Sequence, residues 1–71
     1  MTKLEKVEMI NAALGRSNIA QTRQAKAVIL EDGRIEYQMV VSNGRYTVKA
    51  TFREVLNLMH GADMRAIMKA K

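Results

Sequence analysis

The sequence predicts an α+β fold of two layers, α-β-β-β-α, in which a three-stranded antiparallel meander of order 1-2-3 carries both helices on one face. Two observations predict it. The dipeptides Asp32-Gly33 and Asn43-Gly44 stand eleven residues apart, each followed by an arginine and flanked by alternating apolar residues, which is the pattern of two-residue hairpin turns. Two Thr-x-x-Glu capping boxes, Thr2 to Glu5 and Thr51 to Glu54, bracket that central region with helix starts.

The first helix is expected over residues 2–14. Leu4, Val7, Ile10 and Leu14 recur at helical spacing, and Gly15 follows as a stop. Residues 16–24 are polar apart from Ile19 and Ala20 and read as a connector. Strands are expected over about 26–31, 34–42 and 45–51. If Asp32-Gly33 forms a two-residue loop, Glu31 faces Arg34, Leu30 faces Ile35 and Val28 faces Tyr37. With Asn43-Gly44 as the second loop, Val41 faces Tyr46, Met39 faces Val48 and Tyr37 faces Ala50. Alternation then puts Val28, Leu30, Ile35, Tyr37, Met39, Val41, Tyr46, Val48 and Ala50 on the buried side. From Thr51 a second helix carries the stripe Phe52, Val55, Leu56 and Met59. Gly61 interrupts it, leaving Asp63 to cap a last turn that holds Met64, Ile67 and Met68, or a single helix bent at the glycine.

The 71 residues make a single domain, 1–71, that contains no cysteine. Disulfides and thiolate metal sites are therefore excluded, and good packing or self-association must supply stability in so short a chain. There is no apolar run of membrane-spanning length and no signal-peptide core, so the expected location is the cytoplasm and no membrane partner is implied. Twelve Lys and Arg against seven Asp and Glu give a net charge of +5, which suits a polyanion or an acidic protein surface as partner.

The expected outer face of the sheet holds Ala27, Ile29, Glu31, Arg34, Glu36, Gln38, Val40, Ser42, Arg45, Thr47, Lys49 and Thr51. Arg23, Lys26, Arg34, Arg45 and Lys49 are the candidate contacts to DNA or RNA phosphates. With both tyrosines assigned to the core, no stacking platform for single strands is expected and duplex backbone is the implied target. The element order is similar to that of double-stranded-RNA-binding domains. The basic start typical of their second helix is missing from Phe52-Arg53-Glu54-Val55, so only topology is shared. A helix-turn-helix over residues 10–24, presenting Arg16, Asn18, Gln21 and Arg23, lacks the apolar anchors to dock its second helix.

Catalysis has little support. His60, with Asp63 three residues on and Glu54 six residues back, is the one arrangement that could orient an imidazole, as an RNase-like toxin would need. No metal, cofactor or small-molecule substrate is implied. The competing function is a small inhibitor or adaptor, of the kind phages and mobile elements encode, that blocks a host protein such as a nucleic-acid-processing or defence enzyme. Its expected interface residues are Ala27 and Ile29 on strand 1 and Met64, Ile67 and Met68 near the C-terminus. Strand 1 is also the expected edge for a homodimer, because strand 3 carries Arg45, Thr47 and Lys49, which discourage pairing.

Overall fold

The computed structural model describes residues 1–17, 25–41 and 45–70. Helix α1 spans Lys3–Arg16, strands β1 to β3 span Ala25–Ile29, Ile35–Val41 and Tyr46–Ala50, and helices α2 and α3 span Phe52–Leu56 and Gly61–Lys69. The strands form one antiparallel sheet in the order β1-β2-β3. The fold is α+β, as the turn dipeptides and capping boxes imply. Among the described residues no helix is long and apolar enough to cross a membrane.

Both capping boxes form. Thr2 Oγ1 accepts the Glu5 N–H and Glu5 Oε1 accepts the Thr2 N–H, each at 3.1 Å. Thr51 and Glu54 repeat the exchange at the same distances. Each reciprocal pair satisfies donors that a helix start leaves open. Helix α1 does not stop at Gly15. It continues to Arg16, and Ser17 caps it, because its last turn is held from outside. Ser17 Oγ donates to the Leu58 carbonyl, and Arg16 makes a two-pronged contact with Asp63 at 2.8 and 3.3 Å. Val7, Ile10, Ala13 and Leu14 form the buried stripe, whereas Leu4 is 58% exposed and leaves it.

The C-terminal stretch is two helices. α2 ends after five residues, a turn over 57–59 places Leu58 and Met59 in the core, and α3 starts at Gly61 with His60 at its N-cap. Gly61 is thus the first residue of a helix and not a break within one. Asp63 lies in the first turn of α3, where a carboxylate is favoured by the helix dipole, and it serves as the partner of Arg16 and not as a cap.

The second hairpin has the register expected: Val41 opposite Tyr46, Met39 opposite Val48 and Tyr37 opposite Ala50. Its turn residues, 42–44, lie outside the described residues, as does the connector over 18–24. The first hairpin is shifted by one residue. Ile29, not Leu30, faces Ile35, and Ala27, not Val28, faces Tyr37.

The shift comes from the turn. Leu30 accepts the Gly33 N–H at 2.9 Å and donates its own N–H to Arg34 at 2.8 Å, so the loop has three residues, Glu31-Asp32-Gly33, with Gly33 alone carrying the positive φ of +88°. This is a tight turn closed by a glycine bulge. Asp32 favours it by accepting the Arg34 N–H through Oδ1 at 3.0 Å, a local bond a short carboxylate makes two residues on.

The slip exchanges the faces of β1. Ala25, Ala27 and Ile29 turn toward the helices, and Val28 and Leu30 turn to the open side with Glu36 and Gln38. Small residues under α1 let the helix approach closely. Asn11 then reaches the strand itself, donating through Nδ2 to the Ala27 carbonyl at 3.0 Å and accepting the Ala27 N–H through Oδ1 at 2.8 Å. The core lies between α1, α2, α3 and the β1-β2 half of the sheet. Ile10, Leu14, Val55 and Ile67 are its most enclosed side chains, and the Tyr37 and Phe52 rings meet at 5.3 Å over β2.

Candidate nucleic-acid interface

The face of the sheet turned away from the helices carries Lys26 and Val28 from β1, Glu36, Gln38 and Val40 from β2, and Thr47 and Lys49 from β3. Arg34 precedes β2 and alternates onto the same side, as Arg45 does before β3. These cations reach one surface because the residues between them, Tyr37, Met39 and Val48, are drawn to the other.

Acids on or beside this face engage two of the cations. Arg34 Nε lies 2.6 Å from Asp32 Oδ2, and Lys49 Nζ lies 3.6 Å from Glu36 Oε1. Gln38 Nε2 donates to the other Glu36 oxygen at 2.7 Å. The Gln38 hydrogen bond, aided by the charges of Lys49 and Arg34, holds the Glu36 carboxyl below the ordinary range. The Arg34 and Lys49 side chains are 76% and 85% exposed, so both heads stay in contact with solvent. Lys26 and Arg45 are exposed and have no acidic partner within salt-bridge distance among the described residues. Arg23 lies outside the described residues.

A cleft of about 450 Å³ is lined among the described residues by Asn11, Leu14 and Gly15 of α1, Ala25 and Lys26 of β1, Val40 of β2 and Thr47 of β3. A shallower one of about 210 Å³ contains Leu30, Arg34, Glu36 and Lys49. On the open face Lys26 and Lys49 flank Gln38 in one cross-strand row, with Glu36 and Arg34 nearer the first turn. No aromatic residue occupies a described strand position on this face; Tyr37 and Tyr46 are on the helix side.

The residues expected to form a protein interface separate. Ala27 and Ile67 are 3% and 2% exposed and belong to the core, the first because the register slip carries it under α1, the second because α3 turns it toward α1. Met64 packs against the core. Ile29 and Met68 remain exposed, Ile29 on the helix side of the sheet. The β1 edge is blocked at its centre: the Asn11 amide occupies the N–H and C=O of Ala27 where a second strand would bind.

His60 is exposed and its Nε2 lies 3.3 Å from the Arg16 carbonyl, a position that ties the start of α3 to the end of α1. Asp63 faces Arg16, whose hydrogen bond, with lesser help from the charges of Arg16 and His60, holds its carboxyl below the ordinary range. Among the described residues no group of three His, Asp or Glu side chains is placed to hold a metal ion.

Sequence reasoning missed Asn11. Val7, Ile10, Asn11 and Leu14 occupy the positions of one helix face, so a polar amide at the third of them signals a hydrogen-bonding duty at the edge of the packed face. Comparison with protein-family models, with curated proteins and with solved structures finds no match for this chain.

Proposed function

We propose that this chain is a non-enzymatic binding module that engages the phosphate backbone of a duplex nucleic acid through the open face of its sheet, in a reducing compartment such as the cytoplasm. One observation carries the reading: Lys26, Arg34, Arg45 and Lys49 share a face that no helix covers among the described residues, with Gln38 and Thr47 between them as hydrogen-bonding groups. Without a ring on that face to stack a base, backbone contact is the chemistry it offers. The pairs with Asp32 and Glu36 do not block it. Exposed ion pairs are worth about 0.2–1 kcal/mol, so a phosphate can replace either carboxylate.

Titration against short duplex DNA, duplex RNA and single strands at two salt concentrations tests this. Four phosphate contacts predict that log affinity falls with log salt at a slope of about −3 to −4. Single-strand preference, or binding without salt dependence, would refute it.

A second reading is a small inhibitor or adaptor that blocks another protein. Ile29 and Met68, 40% and 53% exposed, favour it as apolar contacts lying off the basic face. It predicts no duplex binding, and a target interaction lost on Ile29→Ser or Met68→Ser.

A further inference from the structure

The two outer strands of the sheet are treated differently by the rest of the chain. The β1 edge is blocked at its central residue by Asn11, whose side-chain amide supplies Ala27 with the donor and acceptor that a neighbouring strand would supply. At the other edge, β3 is exposed from Tyr46 to Lys49, and on its helix side Tyr46 and Val48 are 62% and 45% accessible. α1 packs on β1 and α2 on β2, so the apolar side of β3 reaches past both.

The hydrogen-bond phase of that edge follows from the other hairpin. The Leu30–Arg34 bond and the outward-facing Ala27 mean that Val28–Glu36 and Lys26–Gln38 are the bonded pairs between β1 and β2. Tyr37, Met39 and Val41 therefore direct their backbone groups to β3. They meet Ala50, Val48 and Tyr46 there. Thr47 and Lys49 are left pointing their N–H and C=O groups outward.

We infer that two copies of this chain pair their β3 strands antiparallel about a two-fold axis through Val48, joining the sheets into one continuous sheet. A two-fold axis through any residue of β3 brings outward groups opposite one another, and the three registers centred on Thr47, Val48 and Lys49 are those that keep most of the strand overlapped. Centring on Lys49 sets Lys49 against its own copy. Centring on Thr47 sets Arg45 against Lys49. Both juxtapose like charges directly across the strands, which is unfavourable. Centring on Val48 pairs Thr47 with Lys49, Val48 with itself and Tyr46 with Ala50.

That register is complementary in size as well as charge. The large ring of Tyr46 lies across from the small Ala50, and the exposed apolar groups of both copies meet on the helix side. Arg45 comes opposite Thr51, whose backbone N–H is already taken by the Glu54 carboxylate, so a cation faces the acidic start of α2. Lys49, the residue expected to guard this edge, is drawn back over β2 by Glu36 at 3.6 Å. The second copy is thus an occupant for which the strand carries its own complement, pairing by the strand-addition mode that open sheet edges use.

The pairing concerns the protein without nucleic acid and does not rest on the duplex-binding reading, though Arg45, Thr47 and Lys49 lie on the open face as well as at this edge. Its test is molar mass by sedimentation equilibrium over a concentration series, combined with single cysteine substitutions in this cysteine-free chain. The expected result is a mass of twice the chain, reduced to that of one chain by Val48→Glu with the far-UV spectrum retained. A non-hydrogen-bonded pair sets Cα atoms about 4.5 Å apart, within disulfide range. Val48→Cys should therefore oxidise to a covalent dimer rapidly, while Thr47→Cys and Lys49→Cys, which do not face themselves, should do so far more slowly. A monomer at all concentrations overturns the proposal, as does a dimer that crosslinks best through Lys26→Cys on β1 or through Lys49→Cys.

Discussion

Asn11 has two roles in this fold. Its two hydrogen bonds to Ala27 lock α1 to β1 and at the same time occupy the strand's outer backbone groups. Asn11→Ala leaves both without a protein partner, and should cost about 1–3 kcal/mol, read as a lower urea midpoint. The same variant bares the β1 edge, so its molar mass should rise above that of the wild type at high concentration. On the open face, Lys26 and Arg45 have no carboxylate among the described residues to leave before meeting a phosphate. Lys26→Ala and Arg45→Ala should each reduce the salt slope of duplex binding by about 1. His60 contacts the Arg16 carbonyl and lies off the basic face, so His60→Ala should leave the duplex affinity within twofold of wild type; a larger loss in the titration would place it at the interface.

At the scale of the element, the first hairpin decides which face of β1 is buried, and its turn depends on one glycine. Gly33 has a φ of +88°, and a left-handed conformation costs a residue with a Cβ about 1–2 kcal/mol. Gly33→Ala should therefore lower stability by about that amount in chemical denaturation. The space around the new methyl is not the cause, since its nearest neighbour is the flexible end of Lys3 at 3.7 Å. Helix α3 shows why a local signal can be read two ways. Gly61 and Asp63 fit either a broken helix or a new one, and the choice is made by contacts with α1, where Asp63 meets Arg16 and Ile67 enters the core.

Across the whole molecule, carboxylates with specific partners set the response to acid. Glu5 is held down by its bonds to Thr2, Glu36 chiefly by Gln38 and Asp63 chiefly by Arg16. A carboxyl whose pKa is lower in the folded than in the unfolded chain contributes stability above its unfolded value, near ~4. That contribution is lost as pH falls through the lower folded value. The chain should thus be less stable at pH 3 than at pH 6, as a fall in thermal midpoint, and Asp63→Asn should flatten the dependence. Tyr37 works in the opposite direction: burial raises its pKa, so its contribution is present below ~10 and is lost as pH rises beyond it.

Local chemistry determined much of this protein without help from tertiary contacts. Thr2 with Glu5 and Thr51 with Glu54 start helices because each pair satisfies its own backbone donors, and Asp32-Gly33 marks the first reversal of the meander. Period-two alternation from the second turn places Met39, Val48, Tyr37 and Ala50 on one side, as found. The same dipeptide logic misplaced β1 by one residue, because Asp-Gly serves both a two-residue loop and a three-residue loop with a glycine bulge. The choice between them depends on which face of β1 fits under α1, and that exchanges Val28 and Leu30 for Ala27. The basic face was legible in outline from Lys26, Arg34, Arg45 and Lys49. Its pairing with Asp32 and Glu36 was not: Lys49 meets Glu36 through the cross-strand register, and Arg34 meets Asp32 of the three-residue turn. Only the packing of α1 against β1 decides which sheet edge is closed, because one side-chain amide can satisfy a strand's free backbone groups only where the folded chain brings the two together.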